Sequence, residues 1–230
     1  MKIIEKIVNS IGDKHKYTMP SIAFLGDSVT EGSFRAHNDY RVAYPYKVRN
    51  ILYNIFPSAN INIINAGIGG TTAPFGAERL ERDVLSKNPD LCVVCFGLND
   101  AGTGPENLSK YTDALSEIFE KLQKNDVEVL FMTPNMICTY FDEDLVPAKY
   151  ASEINGFINV QNSGLMDMYM DAARETCAKY NVPVCDCYAK WKTMHKYGVN
   201  TTKLLSNGIN HPTPELHDLF ANSLVETMFK

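Results

Sequence analysis

The feature that most constrains the fold is an alternation of short apolar segments with longer stretches of helical periodicity. The five apolar segments are residues 22–26, 61–66, 91–97, 127–133 and 182–185. The third, LCVVCFG, is apolar along its whole length, which is typical of a strand covered on both faces of a parallel sheet. The segments therefore predict the five strands of one parallel sheet.

The stretches between these strands carry apolar residues at helical spacing. One runs from Leu108 to Leu122, another covers residues 165–180, and a last helix follows the capping sequence Thr213-Pro214-Glu215. Strands and helices alternate without a repeat, a linker or a shift in composition. We therefore predict one α/β domain over residues 1–230, built as a three-layer α/β/α sandwich on a five-stranded parallel sheet.

The N-terminal residues 1–19 predict a short amphipathic helix and not a secretion signal, because Glu5 and Lys6 interrupt the apolar positions. No segment reaches the roughly 18 uncharged apolar residues of a membrane span. The net charge is −5, and Lys and Arg form no block that would indicate nucleic acid or a membrane surface as a partner. We expect a cytoplasmic protein, and its oligomeric state stays open.

The six cysteines lack the spacing of a metal site, so we expect free thiols in a reducing compartment and no bound metal. Residues 135–164 form a different kind of segment, rich in Tyr, Phe, Asn and Pro and without a clear period. A loop this long in a compact domain is usually functional. Because it follows the carboxyl end of the fourth strand, we interpret it as an active-site loop or lid; the alternative is a surface elaboration with a short helix.

Four polar motifs follow strands or precede the last helix. The first is Gly26-Asp27-Ser28, which places a serine hydroxyl at the carboxyl edge of the sheet. Taken alone, it could equally be an ordinary turn, since Asp and Ser are common turn residues. It is also not the G-x-S-x-G elbow, because Thr30 stands where that motif has its second glycine.

The second and third motifs offer hydrogen-bond donors. The glycines around Gly70 let the backbone approach a ligand with its N–H groups, which could serve a phosphate, an oxyanion or only a flexible turn. The side-chain amide of Asn99, after the third strand, could reach the same space.

The fourth motif contains His211, which precedes Pro212 and so has a restricted backbone just before the last helix. Together, the motifs supply a hydroxyl, a backbone donor, an amide donor and an imidazole on one side of the sheet. That is the set needed for acyl transfer through a tetrahedral intermediate.

The sequence resembles the SGNH or GDSL-type hydrolases over residues 20–228. The matching blocks are Gly26-Asp27-Ser28, Asn65-x-Gly67-x-x-Gly70-x-Thr72, Gly97-x-Asn99-Asp100 and His211-Pro212. The resemblance implies a flavodoxin-like fold and ester hydrolysis without a metal or organic cofactor. It also implies Ser28 as nucleophile, supported by Asp27, and His211 as base. The implied oxyanion hole consists of the N–H groups of Ser28 and Gly70 and the amide of Asn99.

One position departs from the family pattern. The family usually has an Asp three residues before the histidine, and here that residue is Gly208. Asn207 is the nearest polar candidate for orienting the imidazole, although an amide lacks the charge that favours imidazolium. We expect either a Ser–His dyad with amide or carbonyl support, or an acid from elsewhere, with Glu215 and Asp218 nearest in sequence.

These observations predict a serine esterase that acts on a small acyl or acetyl ester, such as an acetylated sugar, through an acyl-enzyme on Ser28. An acyltransferase could use the same site. The missing acid leaves open a non-catalytic ligand-binding protein of the same fold. The glycines near Gly70 leave open a nucleotide-binding protein.

Overall fold

A parallel sheet lies at the centre of the computed structural model, which describes residues 1–13 and 15–230. Its strands are β1 (Ser21–Gly26), β2 (Asn62–Gly67), β3 (Leu91–Cys95), β4 (Glu128–Met132) and β5 (Val184–Cys185). They are all parallel and lie in the order β2-β1-β3-β4-β5. Strands β1 and β3 are buried along their whole length, which explains their unbroken apolar sequence. The predicted five-stranded parallel sheet is confirmed.

Eleven α-helices surround the sheet in the described part of the chain. They are α1 (Lys2–Gly12), α2 (Ser28–Glu31), α3 (Tyr44–Ile55), α4 (Ala73–Glu78), α5 (Leu80–Asp83), α6 (Leu98–Ala101), α7 (Leu108–Lys124), α8 (Ala151–Asn162), α9 (Leu165–Lys179), α10 (Cys187–Lys196) and α11 (Leu216–Met228). Short 3-10 helices lie at Tyr40–Val42, Leu85–Lys87, Pro105–Asn107, Ala148–Tyr150 and Thr202–Leu204.

Two groups of helices cover the two faces of the sheet. Helix α3 packs against α11, while α4 and α9 both pack against α7. The predicted α/β/α sandwich is confirmed, and the strand order is that of flavodoxin-like folds, which bind ligands where the direction of strand addition reverses. Here that point lies between β1 and β3.

Helix α1 is attached to the amino-terminal edge of the sheet. Its residues Ile3 and Ile7 are buried, and the N–H groups of Lys2 and Ile3 each donate to the carboxylate of Glu128 at 3.0 Å. A carboxylate at a helix N-terminus satisfies free N–H groups and interacts favourably with the helix dipole. The helix therefore occupies part of the predicted region 1–19 and belongs to the hydrophobic core.

Residues 135–164 differ from the predicted loop. The first part is irregular yet buried at Met136, Ile137 and Cys138, and the second part forms the twelve-residue helix α8. The expectation of one long loop is wrong for this second part. The alternative, a segment with a short helix, describes this part better. The helix shows no clear apolar period because only a few of its positions are buried, among them Ile154 and Val160, and most of the others are polar or glycine.

All six cysteines are free and buried. Cys185 ends β5 and Cys187 begins α10, and their Sγ atoms lie 3.7 Å apart. Among the described residues, no helix is both long and apolar enough to span a membrane. The cytoplasmic location stays a prediction.

Candidate active site

Ser28 lies at the first turn after β1, at the carboxyl edge of the sheet. Asp27 caps the short helix α2, because its side chain accepts a hydrogen bond from the N–H of Val29 at 2.9 Å. Ser28 is the first residue of that helix and is largely buried. The capped turn fixes the serine hydroxyl at the point where strands β1 and β3 end.

The structure brings Ser28 and His211 together. The Oγ atom of Ser28 lies 2.9 Å from Nε2 of His211, although the two residues are 183 positions apart in the chain. The histidine is held by a narrow loop in which Leu205 pairs with Pro212 and the N–H of Ser206 donates to the carbonyl of His211 at 2.7 Å. The geometry fits a hydroxyl whose proton can pass to an imidazole.

The other ring nitrogen of His211 has a different environment. Its Nδ1 atom is buried and, among the residues that the structure describes, has no hydrogen-bond partner. Burial lowers the pKa of His211 to about 4, because the charged imidazolium is poorly solvated there. The ring is therefore neutral at pH 7 and able to accept a proton, but no carboxylate stabilises its charged form.

Asn207 does not orient the imidazole as the sequence suggested. Its Oδ1 atom accepts hydrogen bonds from the backbone N–H groups of Ile209, Asn210 and His211, each at 3.0 Å, and its Nδ2 donates to Asn210 Oδ1 at 2.9 Å. The side chain is thus used to shape the turn. It positions His211 through the backbone and leaves the ring without an amide partner.

Neither Glu215 nor Asp218, the carboxylates suggested as substitutes, forms a hydrogen bond with Nδ1 of His211. Asp218 accepts a hydrogen bond from Lys47 at 2.7 Å. Gly208, at the position of the family's usual Asp, has a φ of +68°. A Cβ there would come within 2.8 Å of side-chain atoms of Leu145 and Val146. The fold therefore leaves no room at residue 208 for an acidic side chain.

The expected oxyanion donors lie on three neighbouring loops. Gly70 has a φ of +73°, and within the described residues neither its N–H nor that of Ser28 donates to another group. The side-chain amide of Asn99 donates to the carbonyl of Thr71 at 2.8 Å, which ties the loop after β3 to the loop after β2. A Cβ on Gly69 would lie 3.7 Å from the Cβ of Ser28. The loops thus cluster around the serine.

Two side chains fix the glycine loop to the helix that carries Ser28. The carboxylate of Glu31 accepts a hydrogen bond from the N–H of Gly69 at 2.8 Å. The Nδ2 atom of Asn65 donates to the carbonyl of Thr30 at 2.9 Å, and its Oδ1 accepts from Gly67 at 2.9 Å. Asn65 was named from the sequence as part of a family block, without a role. Glu31 was missed, because its only signal was its position three residues after Ser28.

Arg79 was also missed. It is buried, and its guanidinium donates to the carbonyls of Gly26 at 2.8 Å and Ala66 at 2.7 Å, and to Asp83 at 3.0 Å. These carbonyls lie at the ends of β1 and β2, just before the serine turn and the glycine loop. In the sequence, Arg79 stands among charged residues and resembles part of a solvated helix face, so no signal marked it.

The carboxyl groups of Asp27 and Asp100 are buried next to Ser28 and Asn99. Burial raises the pKa of Asp27 to about 7, with the nearby Asp100 raising it further, and burial raises that of Asp100 to about 6. Asp100 accepts a hydrogen bond from the N–H of Ala73 at 2.8 Å. Both carboxyl groups therefore accept hydrogen bonds from the backbone of the segments that follow β1 and β2. Over the described residues, no group of three or more His, Cys, Asp or Glu side chains is arranged to hold a metal ion.

The fold and the site together define a class of protein. At the carboxyl edge of a parallel sheet, a serine hydroxyl is hydrogen-bonded to a neutral imidazole beside free N–H groups. Such an arrangement can catalyse acyl transfer. The class is that of α/β proteins with a hydrolase-type Ser–His pair.

Comparison with known proteins identifies the family. The model of the GDSL-like lipase/acylhydrolase family matches residues 24–219. An uncharacterized lipoprotein, YqeF, of Bacillus subtilis (strain 168) is 34% identical over 84% of this chain and 83% of its own length. An acetylxylan esterase of Geobacillus stearothermophilus is 35% identical over 34% of this chain and 39% of its own.

Solved structures agree with this result. A two-domain esterase (CEX) active on acetylated mannans superposes with a TM-score of 0.70 and 25% identity, covering 98% of this chain, which spans about half (52%) of that protein. An acetyl xylan esterase, AlAXEase, has a TM-score of 0.69 and 23% identity over 90% of this chain and 98% of its own. The chain belongs to the GDSL-like lipase/acylhydrolase family and is a carboxylic-ester hydrolase with the SGNH hydrolase fold.

Proposed function

We propose that this hydrolase removes a short acyl group, such as acetyl, from a carbohydrate through an acyl-enzyme on Ser28. The observation that carries the proposal is the 2.9 Å contact between Ser28 Oγ and the neutral His211 Nε2. The sugar part of the proposal is supported by the relatives, which include an esterase of acetylxylan and an esterase active on acetylated mannans.

In the first half of the reaction, His211 Nε2 takes the proton of Ser28 as the Oγ atom forms a bond to the ester carbon. The carbonyl oxygen becomes an oxyanion, which the N–H groups of Ser28 and Gly70 and the amide of Asn99 stabilise. The intermediate then collapses, the ester C–O bond breaks, and the imidazolium gives its proton to the leaving alcohol. The acyl group remains on Ser28.

In the second half, a water molecule gives a proton to His211 and attacks the acyl carbon. The bond to Ser28 Oγ breaks, and the imidazolium returns the proton to the serine. In both halves the imidazolium forms without a carboxylate beside Nδ1. The site is thus a Ser–His dyad, and its charged intermediate depends on the oxyanion donors more than it would in a complete triad.

The proposal is tested with p-nitrophenyl acetate and an acetylated xylo-oligosaccharide as substrates. We expect a burst of p-nitrophenol from the wild-type protein, acetate release from the oligosaccharide, and neither from Ser28→Ala. Mass spectrometry of a quenched reaction should find one acetyl group on the peptide that contains Ser28. Turnover that persists in Ser28→Ala would contradict the mechanism.

The same experiment separates the alternatives. Acetyl transfer that requires an added alcohol would indicate a transferase. Failure of several acyl esters to give any Ser28-dependent product would indicate a binding protein, for which the unpartnered Nδ1 of His211 is the favouring observation.

A further inference from the structure

A groove with a volume of about 340 Å³ opens next to Asn99. One of its walls is formed by helix α6 and the turn that follows, with Leu98, Asn99, Gly102 and Thr103 facing the space. A volume of this size is in the usual range for a small-molecule site. Asn99 is an oxyanion donor in the proposed function, on which this inference rests, so the groove adjoins the position proposed for the ester.

Helix α8 forms the opposite wall. The residues that face the groove are Glu153, Gly156, Phe157 and Val160. Their spacing, i, i+3, i+4 and i+7, places them on one side of the helix. At Gly156 a Cβ would meet nothing within 4 Å, so the glycine leaves open space. One side of helix α8 thus lines the groove next to Asn99.

The groove combines an apolar floor with an aromatic ring and polar side chains. Leu98 and Val160 are buried and form an apolar floor, whereas Phe157 is 37% exposed at the rim. Glu153 and Thr103 add polar side chains to the lining, and the Thr103 hydroxyl donates to the carbonyl of Asp100 at 2.7 Å. The carboxylate of Glu153 only accepts hydrogen bonds, so it favours a ligand with hydroxyl donors.

A sugar ring has both properties. Its C–H face can pack on an aromatic ring and an apolar floor, and its hydroxyl groups can donate to a carboxylate. A long acyl chain would instead remove water from Glu153 without replacing its hydrogen bonds, which is unfavourable, and an anionic ligand would be repelled. We propose that this groove is the subsite for a neutral sugar ring in the alcohol part of the ester, with Phe157 and Glu153 as its specificity-determining residues.

Kinetics with two esters test the proposal. Acetylated xylotriose offers a sugar ring to the groove, whereas vinyl acetate offers the same acetyl group without a ring. In Phe157→Ala, the ratio of kcat/KM for acetylated xylotriose to kcat/KM for vinyl acetate should fall about 3- to 10-fold, through KM, because an aromatic packing partner is lost. Glu153→Ala should lower the ratio as well, and Glu153→Gln should lower it less.

Asn155→Ala is the matched control, because Asn155 is an exposed polar residue of the same helix and does not line the groove. It should leave the ratio unchanged. An unchanged ratio in both Phe157→Ala and Glu153→Ala would overturn the proposal while leaving the esterase intact.

Binding of a sugar without an ester gives an independent test. Xylotriose and mannotriose are titrated into Ser28→Ala and into Ser28→Ala/Phe157→Ala, and binding is followed by NMR chemical shifts. We expect shifts on α8 that the second variant loses. Binding of neither sugar, or equal binding to both variants, would overturn the subsite. If Ser28→Ala binds sugar but the wild-type protein cleaves no ester, the subsite stands and the proposed function fails.

Discussion

The side-chain oxygen of Asn207 accepts a hydrogen bond from the backbone N–H of His211 at 3.0 Å, while the ring of His211 points to Ser28. The asparagine therefore fixes the position of the histidine through the main chain. This arrangement separates two tasks that one Asp usually combines, since the turn orients the ring but no carboxylate stabilises its charge. The ring of His211 is held in place to accept a proton, but the imidazolium that then forms has no carboxylate beside it.

The first prediction concerns Asn207. Replacement by Ala leaves three backbone N–H groups without their acceptor, so the free energy of unfolding should fall by about 1–3 kcal/mol, and kcat/KM should fall with it. Asn207→Asp keeps the accepting oxygen and should remain within about 1 kcal/mol of the wild type. Urea unfolding and ester hydrolysis measure the two effects. Equal stability of Asn207→Ala and the wild type would contradict the role.

The second prediction concerns the family's usual acid position. Gly208→Asp should not complete the triad and should destabilise the protein, because residue 208 has a left-handed backbone and Leu145 and Val146 occupy the space of a side chain. We expect a loss of about 1–3 kcal/mol in the free energy of unfolding.

Gly198→Asp is the matched control, since Gly198 also has a positive φ of +90° but an added Cβ would meet no atom within 4 Å. Gly198→Asp should lower the free energy of unfolding by about 1 kcal/mol, through backbone strain alone. Equal losses in the two variants would show that contact with Leu145 and Val146 plays no part.

The third prediction concerns pH. Burial lowers the pKa of His211 to about 4, and the reaction requires its neutral form. As pH falls, kcat/KM should therefore decline around pH 4 and not near 6.5, the ordinary value for histidine, because kcat/KM reports the free enzyme.

The lowered pKa of His211 also affects the free energy of unfolding. The folded pKa of His211 lies below the unfolded value, so its contribution to stability is complete above about pH 6.5 and is lost as pH falls through about 4. Circular dichroism at each pH separates unfolding from protonation of the folded enzyme. An acid limb near pH 6.5 in folded protein would show that the imidazolium is stabilised.

The fourth prediction concerns the oxyanion donors. Asn99→Ala should lower kcat about 10²- to 10³-fold with little change in KM, because the lost hydrogen bond is made to the transition state. Asn107→Ala is the control, since Asn107 likewise donates from its side chain to a carbonyl, that of Thr103, at 2.9 Å on the surface. A similar small effect of both substitutions would remove Asn99 from the mechanism.

The fifth prediction concerns Glu31. Its carboxylate holds the N–H of Gly69, next to Gly70, so Glu31→Ala should loosen the glycine loop and lower kcat about tenfold, the equivalent of one hydrogen bond. Glu31→Gln retains an accepting oxygen and should recover most of the activity. If Gln is as damaging as Ala, the negative charge is what matters and the positioning role is wrong.

Much of the fold could be predicted because its signals are local. Strand β3 is buried on both faces, so its sequence is apolar without interruption, and helix α7 packs on one side only and shows helical periodicity. The motifs with Ser28, Gly70, Asn99 and His211 could be placed on one side of the sheet because each follows a strand or precedes the last helix. Parallel strands bring such positions to a common edge.

What escaped prediction depends on distant contacts. Arg79 acts on carbonyls 13 and 53 residues away in the chain, and no local pattern distinguishes it from a surface arginine. Helix α8 lies at the rim of a groove, where polar residues and glycine replace the apolar repeat. Asn207 could be named from the sequence as a polar candidate near the missing acid position, but whether its amide faced the ring or the backbone depended on the turn at Gly208.

The buried guanidinium of Arg79 has a consequence for motion. One planar cation binds the carbonyl of Gly26, the last residue of β1, and that of Ala66, the penultimate residue of β2, so we expect the serine turn and the glycine loop to move together. Displacement of either strand end should then be passed to the other, which would keep the distance between Ser28 and Gly70 nearly constant. In hydrogen exchange, the amides that follow Gly26 and Ala66 should accordingly open as one cooperative unit.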